Sequence, residues 1–465
     1  MVKRKIASIA LLSTTVLALT SCKMRDQLLF LNWGEYIDET LITEFENKYN
    51  VDVIMDFSDS NEVFYSKVKS GTTIYDVVCP SDYMVEKMYR NDLLQEIDFS
   101  KFELSNYTPT STNLRYGVTQ IMNQMEEATK DYQLENEKSS IKNYFVPYLW
   151  GTWGIMYDTT EPGLTDAVCN SGNEWNALFN RSVLSSDIKV AMYDSYQHAY
   201  YAAARYLAAS GYEFLTDGIN STNVVTSELG TSDQNAIRDL IKGMKYDAWG
   251  TDRIKRNIVA GNLDVGFMWT GDFLYYYAEV LSELVSDAYD SGDVAKENLE
   301  DMLLTLTDRT LTAENRTYIG KSGQEYNIGF DFFIPSDTIA FCDNLVIPKD
   351  SANSELAIKF IDFMSSTKIE PETEDGEELN PSYANTYYVD YDAVFTSVYD
   401  ELVDLSSVIL TEVDDDSLVD AIYDYAIGIA FNNFYPKDEF LGSKLPNFSR
   451  AYIKTINKIF NNARS

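Results

Sequence analysis

A strand–helix–strand–helix–strand pattern fills about seventy residues after Gln27, and it limits the chain's fold more than any other feature. Leu28-Leu29-Phe30-Leu31 is a short apolar run suited to a buried strand, and residues 39–48 follow with Leu41, Ile42 and Phe45 on one helical face. Residues 51–57 read as the next strand, and Ser58, Asp59 or Ser60 can cap the helix carrying Val63, Phe64 and Val68. Residues 75–79 are a third strand, after which Pro80-Ser81 opens a helix with Met84 and Met88. Strands alternating with crossover helices require a parallel sheet, so this part is a doubly wound α/β unit.

The alternation resumes at residues 145–150, which open a second α/β block. Strands are expected over 189–192, 263–270 and 344–348, and helices over 197–209, 233–244 and 274–285. A helix capped near Ser351 carries Leu356, Ile358, Phe360, Ile361 and Phe363. Segments 116–143, 288–326 and 366–385 are polar and poor in strand signal, and read as insertions or surface loops. Within the last, 370–378 is an acidic run expected to be a solvated loop. With 465 residues, two or three domains fit better than one core.

Charge excludes one class of partner. Lys and Arg number 37 against 73 Asp and Glu, a formal net charge of −36, whereas nucleic-acid backbones need clustered cations. One His and 4 Cys leave little for a zinc or haem site, so no metal or cofactor is expected. Cys79, Cys169 and Cys342 match no metal or redox spacing and read as free thiols, so no disulfide framework is implied. No G-x-S-x-G elbow, Walker loop, G-x-G-x-x-G after a strand or zincin motif is present, so an enzyme is not expected.

At the N-terminus, Lys3, Arg4 and Lys5 precede an apolar stretch over 6–19, too short for the roughly 18–20 residues of a membrane span. With Thr20 and Ser21 this is a signal-peptide layout over 1–21. Leu19-Thr20-Ser21-Cys22 resembles the bacterial lipoprotein box, in which the cysteine is lipidated and becomes the new N-terminus. A lipid on Cys22 would tether the chain to the outer face of the cell membrane, on the extracellular or periplasmic side. Removing 1–21, which hold three cations and no acid, takes the net charge from −36 to −39.

Ligands of open parallel sheets bind beyond the carboxyl ends of the strands. Trp33 and Tyr36 stand there after the first strand, Ser81 and Tyr83 after the third, and Trp269 at the end of the 263–270 strand. Phe341 and Asp343 lie at the start of the 344–348 strand. Rings with a few carboxylates suit an organic polycation: a desolvated ammonium over a ring gains roughly 2 kcal/mol, and carboxylates compensate its charge.

The motifs Leu31-Asn32-Trp33-Gly34-Glu35-Tyr36 and Tyr75-Asp76-Val77-Val78-Cys79-Pro80-Ser81-Asp82-Tyr83 closely resemble the spermidine/putrescine-binding family of ABC-transporter receptors. Val146-Pro147-Tyr148-Leu149-Trp150-Gly151-Thr152, Val265-Gly266-Phe267-Met268-Trp269-Thr270-Gly271 and Asp343-Asn344-Leu345-Val346-Ile347-Pro348 follow in the family's order. The resemblance implies an α/β, two-lobed periplasmic-binding-protein fold of type II, with two crossovers at the hinge. One lobe would comprise 27–145 and 341–390, the other 146–340 and 391–465.

The resemblance also implies a monomer that clamps a polyamine between its lobes and delivers it to a membrane permease. Trp33, Tyr36, Tyr83, Trp269 and Phe341 would form an aromatic box, with Phe341 where the family usually has Trp. Asp343 would bind a ligand amine, Ser81 a polar group, and Tyr391 would be a further aromatic contact. Past the 189–192 strand, Asp194 is retained, but Ser195 and His198 occupy the family's two ligand-binding acidic positions. Asp272 would be a replacement charge or a helix N-cap. With His198 at the ligand, binding should weaken from about pH 7.5 to about 5.5 as the imidazole protonates. The alternatives are a protein of the same fold for another organic cation or small solute, and a surface adhesion lipoprotein.

Overall fold

The computed structural model describes residues 25–215, 225, 228–251, 253–371, 378–435 and 443–465, so the signal segment and Cys22 lie outside it. β1 (Asp26–Asn32), α1 (Glu39–Tyr49), β2 (Val51–Phe57), α2 (Asn61–Ser70), β3 (Val77–Val78) and α3 (Asp82–Arg90) form the first α/β unit. β1 is the centre of a parallel sheet in the order β2-β1-β3, with Leu28↔Val53 and Phe30↔Val77 in register. It tolerates that position because Leu28, Phe30 and Leu31 bury completely. Asp38 caps α1 by accepting from Thr40 N at 2.9 Å, and Ser60 caps α2 by accepting from Val63 N at 3.3 Å.

Next comes α4 (Tyr116–Asn136), a 21-residue helix where the sequence suggested a polar loop. Val118, Ile121, Met122, Met125 and Ala128 form its buried stripe at helical spacing, diluted by the polar residues of the outer face. β4 (Val146–Asp158) then begins the larger sheet, and α5 (Leu164–Cys169), α6 (Asn176–Phe179), β5 (Val190–Tyr193), α7 (Tyr196–Ala209) and α8 (Thr231–Met244) follow. After β6 (Ala248–Gly250) and α9 (Arg253–Val259), β7 (Val265–Trp269) runs directly into α10 (Thr270–Asp290). The supposed insertion after it contains α11 (Leu299–Thr307), with Leu299, Met302, Leu303 and Leu306 buried, and a hairpin of two-residue strands, β8 (Tyr318–Ile319) and β9 (Glu325–Tyr326). The chain ends with β10 (Phe330–Phe333), β11 (Ala340–Leu345), α12 (Ser354–Met364), α13 (Pro381–Val389), β12 (Asp392–Ala393), α14 (Thr396–Asp404), α15 (Leu418–Phe434) and α16 (Arg450–Arg464). α13 fills part of the third expected loop, and the acidic run of 370–378 falls mostly outside the described residues.

β4 runs through the larger sheet, and its two halves take different partners. Its second half pairs with β7, from Trp153↔Trp269 to Tyr157↔Val265, and with β10 on the other side. Its first half pairs with β11, Ala340↔Thr152 to Leu345↔Val146, and with β12 at Trp150 and Leu149. β11 starts four residues before the expected strand, and a bulge between Asp343 and Asn344 turns it. Beyond the bulge Val346 exchanges backbone hydrogen bonds with Val78, at 3.0 and 2.9 Å, which ties the return segment to the edge of the smaller sheet. β3 therefore needs only two residues of regular ladder.

One buried ion pair fastens this junction. Arg115 and Asp392 lie 3.0 Å apart with side chains 1% and 0% exposed. Arg115 also donates to Tyr435 O at 3.1 Å and lies 3.4 Å from the Tyr399 ring centroid. It thereby links the start of α4 to β12 and to the helices after it. Burial pushes the Asp392 carboxyl up to about 7 although Arg115 pulls it down. Removing the cation would leave a buried carboxylate uncompensated, so Arg115→Leu should destabilise by about 3–5 kcal/mol in urea unfolding. A loss below about 1 kcal/mol would show that the pair does not hold the junction.

Candidate functional site

Two of the residues beyond the strand ends, Tyr36 and Ser81, converge on Asp343. Its side chain is 5% exposed, beside the bulge of β11. Tyr36 donates its hydroxyl to Oδ2 at 2.8 Å, and Ser81 donates to Oδ1 at 2.5 Å. Ser81, in the turn before α3, is fixed in turn by Asn61 at the start of α2. Asn61 Nδ2 donates to Ser81 Oγ and Ser81 N donates to Asn61 Oδ1, both at 2.9 Å. No described cation pairs with Asp343. Burial pushes its carboxyl up to about 6, against the pull of the two hydroxyl bonds.

A line of rings leads away from this carboxylate. Tyr36 meets Tyr391 edge-on at 5.0 Å, Tyr391 meets Phe341 at 6.1 Å, and Phe341 meets Trp269 at 4.9 Å. Trp269, Phe341 and Tyr391 are only half-buried, so ring surface remains open. Gly271, in the first turn of α10, permits the approach of Tyr391, since a Cβ there would stand 2.3 Å from its ring. Trp33 stands apart, against Phe64 at 4.5 Å. Tyr83 likewise makes its contact with α2, donating to Glu62 Oε1 at 3.3 Å.

The 194–198 turn differs from expectation. Asp194 is bound by Arg464 of α16, at 2.5 and 3.3 Å, and does not join the ring cluster. Arg464 lies 270 residues downstream, beyond the reach of local reading. Ser195 Oγ and His198 Nδ1 bond each other at 2.7 Å. The His198 ring packs at 4.7 Å from Trp153 and 5.2 Å from Trp269. Burial holds the imidazole neutral, with its pKa down at about 3, so it does not protonate between pH 7.5 and 5.5. That packing argues against the expected pH switch at His198. Asp272 is neither N-cap nor free charge: Trp269 occupies the cap position, and Lys255 binds Asp272 at 2.5 Å.

Sequence reasoning missed Glu62, Gln197 and Asn61. Gln197 of α7 donates to Glu62 Oε1 at 2.5 Å and joins the two α/β units across the site. Glu62 and Gln197 belong to stretches that read as helix, and nothing local marks them as facing each other.

The chain has 1 His, so its imidazole signal needs no assignment. From pH 7.5 to 5.0 the ring carbon and nitrogen shifts of His198 should stay those of a neutral ring. A titration centred near about 6.5 would place the ring in water.

Known proteins resemble this chain in sequence and in fold. The family model described as "Hypothetical lipoprotein (MG045 family)" matches residues 1–159. The spermidine/putrescine-binding periplasmic protein of Salmonella typhimurium is 26% identical over 250 residues, 53% of this chain and 59% of that protein. The match thus spans about three-fifths of that relative's length. The putrescine-binding periplasmic protein of Pseudomonas aeruginosa is 25% identical over 350 residues, 74% of this chain and 75% of that protein. The spermidine/putrescine ABC transporter substrate-binding protein of Streptococcus pneumoniae superposes with a TM-score of 0.52 at 20% identity, covering 94% of this chain and 98% of that one. These relatives are named as binding proteins, not enzymes. The chain is similar in sequence to spermidine/putrescine-binding proteins and has the type II periplasmic-binding-protein fold.

Proposed function

We propose that the chain is the substrate-binding component of an ABC importer and captures polyamines outside the cytoplasm. The observation that carries this reading is Asp343, a buried carboxylate with two hydroxyl donors, no described cation and a wall of rings beside it. An ammonium compensates such a group, and its methylenes lie along the faces of Tyr36, Tyr391, Phe341 and Trp269. Ser81 orients the carboxylate, and Trp33 and Tyr83 close the other wall. The relatives' names support polyamine as the class of ligand.

In this reading residues 27–145 and 341–390 form one lobe, and 146–340 and 391–465 the other. A lipid on Cys22 holds the monomer at the outer face of the membrane, where it meets the permease. A second reading, a singly charged organic amine, is favoured by one observation: Arg464 already neutralises Asp194.

Calorimetric titration of the mature chain with putrescine and spermidine tests the proposal. Asp343→Asn should weaken binding by about 3–5 kcal/mol, because the ammonium loses its counter-charge. Trp269→Leu should cost about 2 kcal/mol. The reverse order would mean a ligand held by stacking and not by charge. Because the ammonium binds the ionised carboxyl, whose pKa lies at about 6, affinity should fall as pH is lowered through that value. From pH 7.5 to 5.5 the loss should be roughly fourfold, the fall in the ionised fraction of such a group. His198→Gln should respond to pH as the wild type does.

A further inference from the structure

A diammonium ligand anchored at Asp343 has a second charge that also loses water on entering the site. Most of the acids nearby are already engaged. Asp194 pairs with Arg464, Asp272 with Lys255, and Glu86 with Lys444. Asp82, on the same turn of α3 as Glu86, accepts from Cys342 N at 2.9 Å and lies within the field of Lys444.

Glu62 is different. Its Oε1 accepts from the Tyr83 hydroxyl at 3.3 Å and from Gln197 Nε2 at 2.5 Å, and both donors are neutral. Among the described residues no cation pairs with it, and no donor reaches Oε2. It is also tied to the first anchor, since its neighbour Asn61 holds Ser81 and Ser81 holds Asp343. Asp343 and Glu62 are thus two carboxylates with neutral partners, linked through Ser81 and Asn61 at the start of α2.

We infer that Glu62 supplies the second carboxylate of the site and receives the far ammonium of a diammonium ligand; this rests on the cation-binding reading above. The ammonium takes Oε2 while Tyr83 and Gln197 keep Oε1. Because Gln197 comes from the other α/β unit, the charge pair forms where the two units meet. Glu62 then selects for two charges over one, a distinction that Asp343 alone does not make.

The test compares putrescine with butylamine, which has the same four-carbon chain and one ammonium, on the mature full chain, with butylamine measured by competition. Glu62→Gln keeps the shape and an acceptor for Gln197 and removes only the charge. Putrescine affinity should fall at least about tenfold, while butylamine affinity stays within about twofold. Retained butylamine binding also reports an intact site. The rival second carboxylate is Asp390, buried and with Oδ1 unpartnered. Asp390→Asn should not change the ratio of the two affinities. Equal losses for both amines in Glu62→Gln would make Glu62 a mere inter-unit latch and overturn the inference. So would a selective loss in Asp390→Asn. A wild type that binds neither amine overturns the cation-binding reading as well, whereas unchanged putrescine binding in Glu62→Gln overturns this inference alone.

Discussion

A carboxylate buried without a cation costs several kcal/mol unless its surroundings compensate it. At Asp343 the compensation comes from two hydroxyls, one from the loop after β1 and one from the turn before α3. The charge is only partly satisfied, so the carboxyl holds its proton to about pH 6. Such a group is a poor contributor to stability and a good receptor for an ammonium. It sits at the bulge of β11, where the return segment leaves β4 and joins β3, so its position depends on both sheets at once.

That dependence gives the junction its importance. β4 is one continuous strand whose two halves belong to different pairings, and β11 and β12 flank its first half. The Arg115–Asp392 pair, itself fully buried, fixes β12 against α4 and brings Tyr391 to the rings. The ring next to the anchor and the ion pair that holds the fold are therefore adjacent in the chain. A change at either is felt at the other through one residue of backbone.

Much of this was legible in the sequence, because strand and helix periods are local. The order of elements from β1 to α3 followed from apolar spacing and capping residues. So did the aromatic positions after the strands. Tertiary partners were not legible. Arg464 claims Asp194 from the last helix, and His198 packs against Trp153 and Trp269 from distant strands, which lowers its pKa. α4 was hidden because its five apolar contacts are spread through a mostly polar 21-residue stretch. Glu62 was hidden because its role depends on α7, more than a hundred residues on.

The account turns on the protonation of one side chain, which can be followed directly. Aspartate labelled with 13C at the side-chain carboxyl, with Asp343→Asn to assign the signal, gives the Asp343 titration by NMR. In the free protein the inflection should lie near pH 6, and saturating putrescine should lower it by at least about one unit as the ammonium favours the charged form. An inflection near about 3.9 in the free protein, or one that putrescine leaves in place, would contradict the account.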